Sequence, residues 1–141
     1  MAIKQLTVFV ENRQGALVEI TDLFAANHID MRALSIADTQ DFGILRMIVD
    51  DTAKAKAAIA EIGCVTSVTD VIAAEIPDTP GAMTELVSKV SETGLNIEYM
   101  YAFVSPVTKK AYTVLRIKDV DGAVAALKAK GIVLVDDSVT L

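Results

Sequence analysis

Val10-Glu11-Asn12-Arg13-Gln14-Gly15-Ala16-Leu17 is followed, later in the chain, by Ile76-Pro77-Asp78-Thr79-Pro80-Gly81-Ala82-Met83, and Gly81 lies 66 positions after Gly15. In each copy an apolar run stops, a side-chain amide or carboxylate (Asn12, Asp78) stands three residues before a glycine, and a new apolar period starts. Upstream of the first copy, Leu6, Val8 and Val10 alternate with Gln5, Thr7 and Phe9, which is strand spacing for a half-buried sheet. Downstream, Leu17, Ile20, Leu23 and Phe24 recur at three- and four-residue steps and mark one face of a helix ending near Asn27-His28. The turn therefore joins a strand to a helix, twice.

Working outward, Met31 to Ala37 and Phe42 to Val49 are apolar-rich runs separated by Asp38-Thr39-Gln40-Asp41, a hairpin signal. Asp51-Thr52 supplies a helix cap, Ala55, Ala58, Ile59 and Ile62 share a face, and Gly63 stops that helix. Val65 to Thr69 reads as a fourth strand, giving β-α-β-β-α-β, the split-βαβ or ferredoxin-like order. The order then restarts with Val71 to Ile76 and a helix carrying Met83, Leu86, Val87 and Val90, which stops at Gly94. A hairpin follows from Ile97 to Val104 and Ala111 to Lys118, with the longer loop Ser105 to Lys110. The last helix, with Asp121 as the expected cap, carries Ala123, Val124 and Leu127 and ends at Gly131, and Val133 to Val135 is the eighth expected strand. The fold class is thus α+β, with two ferredoxin-like βαββαβ domains, residues 1–70 and 71–141, packed side by side with antiparallel sheets. Asp136 to Leu141 is a tail without an assigned element.

The chain of 141 residues is 52% apolar with three prolines, enough for cores but not for large ones. Domains of about 70 residues are marginal alone, so a second chain, in a homodimer, is expected. A formal charge of −6 and the lack of a basic stripe with stacking aromatics argue against nucleic acid. No apolar run approaches a membrane span, and no long apolar leader opens the chain. The single cysteine, Cys64, excludes an internal disulfide framework and fits a reducing compartment. A cytoplasmic protein is expected.

A helix N-terminus leaves its first N–H groups without intrahelical partners and adds a favourable dipole, so it can seat a carboxylate. Glycine at 15 or 81 lets a ligand approach the backbone. Asp78 could pair with an ammonium, and Asn12 could accept from an ammonium or donate to a carboxylate. A free amino acid fits that pattern. The alternative is that Asn12 and Asp78 only satisfy the N–H groups of their own turns, as any strand-to-helix turn requires.

Enzyme chemistry finds little support. His28 is the only histidine and ends a helix, where its charge suits the dipole. Cys64 reads as a small buried apolar residue. No base is evidently paired with a nucleophile, and Cys/His metal clusters cannot be assembled within the chain. Asp50-Asp51 and Asp136-Asp137 read as solvated turns rather than magnesium sites. No catalytic residue, metal or cofactor is expected. Tyr99, Tyr101 and Phe103 alternate on one strand face as sheet packing, with a side-chain pocket as the second possibility. Arg46 and Arg116 occupy matching strand positions and are expected to make salt links.

The turns Asn-Arg-Gln-Gly-Ala-Leu and Asp-Thr-Pro-Gly-Ala-Met each precede a helix of about a dozen residues. His28-Ile29-Asp30-Met31 and Leu95-Asn96-Ile97-Glu98 then open the next strand. This order resembles the ACT domain, present twice over nearly the whole chain, as in stand-alone tandem ACT proteins. The resemblance implies a regulatory module that binds an amino acid, with sheets joined edge to edge and the ligand held where one domain's turn meets its partner's second strand. It implies ligand contacts from Asn12, Gly15, Ala16 and Leu17, and from Asp78, Gly81, Ala82 and Met83. Asp30-Met31 and Asn96-Ile97 would be the strand openings facing the ligand. The family's proline is present at Pro80, but Gln14 stands in its place in the first turn, which leaves that turn less pre-set in φ. The implied partner is an enzyme of amino-acid metabolism. The competing reading is a protein–protein interaction module without a small ligand.

Overall fold

The computed structural model describes residues 1–38, 41–136 and 141. It divides into two compact units, Lys4–Thr69, and Asp70–Leu141 with Met1–Ile3. Among the described residues the elements run β1 (Ile3–Glu11), α1 (Ala16–Ala26), β2 (Met31–Asp38), β3 (Phe42–Val49), α2 (Thr52–Ala60) and β4 (Thr66–Ile76). They continue with α3 (Ala82–Glu92), β5 (Tyr99–Val104), β6 (Ala111–Arg116), α4 (Val120–Ala129) and β7 (Leu134–Val135).

In the first unit β3 is the central antiparallel partner of both β1 and β2, with Val8 opposite Leu45 and Ile36 also opposite Leu45. A backbone bond from Phe9 N–H to Val65 C=O (3.0 Å) brings the start of the fourth strand to the other side of β1. Leu6, Val8 and Val10 of β1, Leu45, Met47 and Val49 of β3, and Ile20 and Phe24 of α1 form one core with Ala55, Ala58 and Ile59 of α2. The alternation and the 3.6-residue period thus supply matching faces of sheet and helices. Gln5 and Thr7, on the opposite face of β1, are buried too, bonded to each other through Gln5 Nε2 and Thr7 Oγ1 (3.1 Å).

The second unit repeats the pattern. β6 pairs with β4 and β5, and β7 lies along β4, with Ala74 opposite both Thr113 and Leu134. Ile72, Leu86, Val90, Leu115, Ile117, Ala123 and Leu127 form its core. Phe103 stacks on Tyr112 with centroids 5.4 Å apart, the packing expected of the β5 aromatics.

Three local expectations are corrected. The fourth and fifth expected strands are one 11-residue strand, β4, because polar Thr69-Asp70 interrupts the apolar pattern without interrupting the extended backbone, so among the described residues seven strands replace eight. The cap of α4 is Asp119, whose carboxylate accepts from Gly122 N–H (3.0 Å), and Asp121 sits inside the first turn. Leu17 and Ile62, assigned to buried helix faces, are about two-fifths exposed at 40% and 41%; Leu17 lies in the first turn of α1, and Ile62 lies in the turn beyond the end of α2 at Ala60. Asp51 does cap α2, accepting from Lys54 N–H (3.0 Å). Thr39-Gln40 of the first hairpin turn, and Asp137 and most of the tail, lie outside the described residues.

Candidate functional site

The two repeated turns are built alike. Gly15 and Gly81 are the N-cap residues of α1 and α3, with φ of 85° and 90°, and neither helix has a side-chain cap. A Cβ built on either glycine meets nothing within 4 Å. Glycine is required there by the left-handed backbone rather than by crowding. Backbone bonds from Ala16 N–H to Arg13 C=O (3.3 Å) and from Ala82 N–H to Thr79 C=O (3.2 Å) close the two turns identically. Asn12 and Asp78 are exposed and do not cap the helices beside them, whereas α2 and α4 are capped by aspartates.

Beyond the backbone the copies diverge. In the first, Arg13 reaches back to Glu11 (Nε to Oε2, 2.9 Å) and forward to both carboxylate oxygens of Glu19 in the first turn of α1 (3.0 Å each). Those bonds, the one to Glu19 foremost, raise the guanidinium pKa further. Asn12 N–H donates to Asp41 C=O (3.2 Å) from the hairpin. In the second, Thr79 stands where Arg13 stood, and Glu85, the counterpart of Glu19, pairs along the helix with Lys89 (3.2 Å).

Two cavities flank the second turn, on either side of Ile76-Pro77. One, of about 200 Å³, lies toward α3 and the α4–β7 connection, where it meets Ala82, Leu86 and Ile132. The other, of about 390 Å³, lies toward the β5–β6 loop and is bordered by Asp78, Lys109, Lys110 and Ala111. Lys110 Nζ binds Glu75 Oε1 at 3.0 Å, and that hydrogen bond raises the lysine pKa. The loop is tied internally. Ser105 Oγ accepts from Val107 N–H (3.2 Å) and Thr108 N–H (3.1 Å), and Ser105 N–H donates to Lys110 C=O (3.0 Å).

The remaining expected site residues are dispersed within each unit. Ala16 and Ala82 are buried as the first residues of α1 and α3. Met31, Met83 and Ile97 pack at core margins. Asp30 is engaged at the opening of β2, its N–H donating to Asp50 Oδ1 (3.0 Å) and its carboxylate meeting Arg32 (3.0 Å). Asn96 is exposed. The 11 residues of α3 span about 16 Å, so within one unit Asp78-Gly81 and Asn96-Ile97 stand at opposite ends of a helix. Glu75, Lys109, Lys110 and Val133 were not among the expected residues. The one available signal was a lysine pair in the hairpin insertion of an acidic chain. Among the described residues no group of three or more His, Cys, Asp or Glu could hold a metal ion, and no helix is long and apolar enough to cross a membrane.

A split-βαβ domain used twice, each copy opening its first helix on a left-handed glycine, defines a tandem α+β module. The chain belongs to the ACT domain pair family, whose model matches residues 1–139. It is similar to the crystal structure of protein BT0572 from Bacteroides thetaiotaomicron, with 38% identity, a TM-score of 0.87, and coverage of 96% of this chain and 92% of that one. The ligand-free regulatory subunit of aspartate kinase from Thermus thermophilus shares the fold at 20% identity and a TM-score of 0.65, covering 91% of this chain and 90% of that one. The corresponding subunit from Thermus flavus does so at 19% identity and 0.61, covering 89% and 90%. No protein with a curated description matches the chain.

Proposed function

We propose that this protein is an amino-acid sensor: a regulatory, non-catalytic ACT pair of domains 1–70 and 71–141 that binds a free amino acid at its glycine turns and passes the signal on through assembly. The observation that carries this reading is the contrast between helices. α2 and α4 have aspartate caps, while α1 and α3, at the repeated turns, begin on bare glycines with no side-chain acceptor. Ala16 and Ala82 N–H close their own turns, and the next N–H groups of each first turn remain for a carboxylate, with Asp78 or Asn12 close in sequence for the ammonium. Capping, the purely structural use of those two side chains, is not how they are employed.

In this proposal Gly15, Ala16 and Leu17, with Gly81, Ala82 and Met83, form the backbone side of the sites. The strand openings Asp30-Met31 and Asn96-Ile97 of a partner copy complete them in a homodimer. The separation of turn and strand opening by a helix length supports completion by a neighbour. A ligand that favours one assembly shifts the population toward it, and the regulated partner is an enzyme of amino-acid metabolism in the cytoplasm. Titration calorimetry against the twenty amino acids is the test: heat and a raised melting temperature are expected from a restricted set. Silence from all of them, with no change in melting, would overturn the proposal.

An interaction module without ligand is the second reading. It is favoured by Leu34 and Ile36 of β2 and by Phe42, all half exposed at 51–52%. It predicts that Asp78→Ala leaves partner capture intact.

A further inference from the structure

The cavity between the second turn and the β5–β6 loop carries a more specific assignment, which rests on the amino-acid reading above. Its volume of about 390 Å³ falls in the range of small-ligand sites, roughly 300–1,000 Å³. Four charged side chains border it, and two of them, Glu75 and Lys110, neutralise each other. The charges left are one of each sign, Asp78 and Lys109. Among the described residues neither side chain has a hydrogen bond or ion pair. The rest of the wall is apolar: Ile76, Pro77, Ala111 and Val133.

Lys109 is held in place at a cost. Its φ is 60°, one of two non-glycine residues in the left-handed region among the described residues, a conformation that disfavours an L side chain. The loop enforces it through the Lys109 N–H bond to Ser105 C=O (3.0 Å), the Ser105 Oγ bonds, and the Thr108 Oγ1–Tyr112 hydroxyl contact (2.8 Å). A lysine kept where glycine would be easier, beside a cavity and with its ammonium unpaired, is placed for charge.

We propose that this cavity binds one zwitterionic aliphatic amino acid, its ammonium on Asp78, its carboxylate on Lys109, and its branched side chain against Ile76, Pro77, Ala111 and Val133. The first unit has no equivalent. Asn12 replaces Asp78, the hairpin loop Asp38 to Asp41 has no lysine, and Arg13 is already paired with Glu11 and Glu19. This narrows the sensor reading to one ligand per chain, bound within the second unit in place of sites at both turns and without residues of a partner copy.

The test is calorimetry of the full chain with leucine, isoleucine and valine against aspartate, lysine and serine. Binding at one site per chain is expected, with aliphatic ligands at least about tenfold tighter, the scale set by a branched side chain leaving water. Lys109→Gly suits the backbone and removes the ammonium, so it should raise the melting temperature of the free protein or leave it unchanged while weakening binding at least about tenfold. Lys109→Arg should restore most of the affinity. Amino-acid binding indifferent to Lys109→Gly, a preference for acidic or basic ligands, or two sites per chain would overturn this assignment and leave the sensor proposal standing. Absence of any amino-acid binding would remove both.

Discussion

Gly81 and Gly15 show how one residue sets a turn's geometry. Both adopt φ near +90° in open surroundings, so alanine there meets no neighbour and its cost is conformational alone. Gly81→Ala should destabilise the fold by about 1–2 kcal/mol, measured by urea denaturation, and shift the N–H groups that face the turn. His28 offers the converse. It occupies, 66 positions earlier, the place of Gly94, with φ of 54° against 76°. His28→Gly should relieve left-handed strain, offset in part by unfolded-chain entropy, for a net gain of about 0.5 kcal/mol. The sequence identified Gly15 and Gly81 as turn residues and His28 as an exposed helix end, but the sign of φ is a backbone property that residue type suggests only for glycine. Glu92 adds a pH signature. The hydrogen bond from Lys130 holds its carboxyl below the ordinary 4.5, so the folded-state pKa lies under the unfolded one. That contribution is present above pH 4.5 and is lost as pH falls through the folded-state value. The melting curves of wild type and Lys130→Ala should differ at neutral pH and converge in acid.

At the scale of elements, the period changes at the turns were enough to place four helices and most strands, because each element buries one continuous face. What the pattern missed were contacts that leave no period. The cap of α4 is one: Asp119 and Asp121 are both plausible N-terminal acids, and only geometry selects Asp119. The consequence is a coupled pair. Asp119→Ala should cost about 1 kcal/mol, and Asp121→Ala much less. A Cβ at Gly122 would run into the Asp119 carboxylate, so Gly122→Ala in the native background trades the cap for helix propensity and is near neutral. In the Asp119→Ala background the same change should stabilise by about 0.8–1 kcal/mol, a non-additivity that a double-mutant cycle reads directly. The β5–β6 loop was legible only as a longer hairpin. Its role at the cavity depends on Ser105 drawing Lys109 and Lys110 back toward the second turn, a fold of the loop that sequence spacing does not encode.

For the whole molecule, the duplication was legible from the recurrence of the glycine turns, whereas the structural difference between the copies was not. Proline against glutamine and aspartate against asparagine hinted at it, but the Arg13 clamp and the Lys109 cavity emerge only when side chains from distant positions meet. The two cores share no residue, and each domain of about 70 residues holds only about 4–10 kcal/mol. Phe24, fully buried in the first core, should cost about 3–5 kcal/mol when cut to alanine, which takes most of that unit's stability. Calorimetry of Phe24→Ala should then resolve two transitions, the lower from the first unit. A saturating aliphatic amino acid at 100 times its dissociation constant adds about 2.7 kcal/mol to the state that binds it, and it should raise the upper transition alone. Leu127→Ala, which opens the second core, should reverse the order and make the lower transition the ligand-sensitive one. A single transition that ligand shifts in both variants would show instead that the two cores unfold as one unit and that binding stabilises them together.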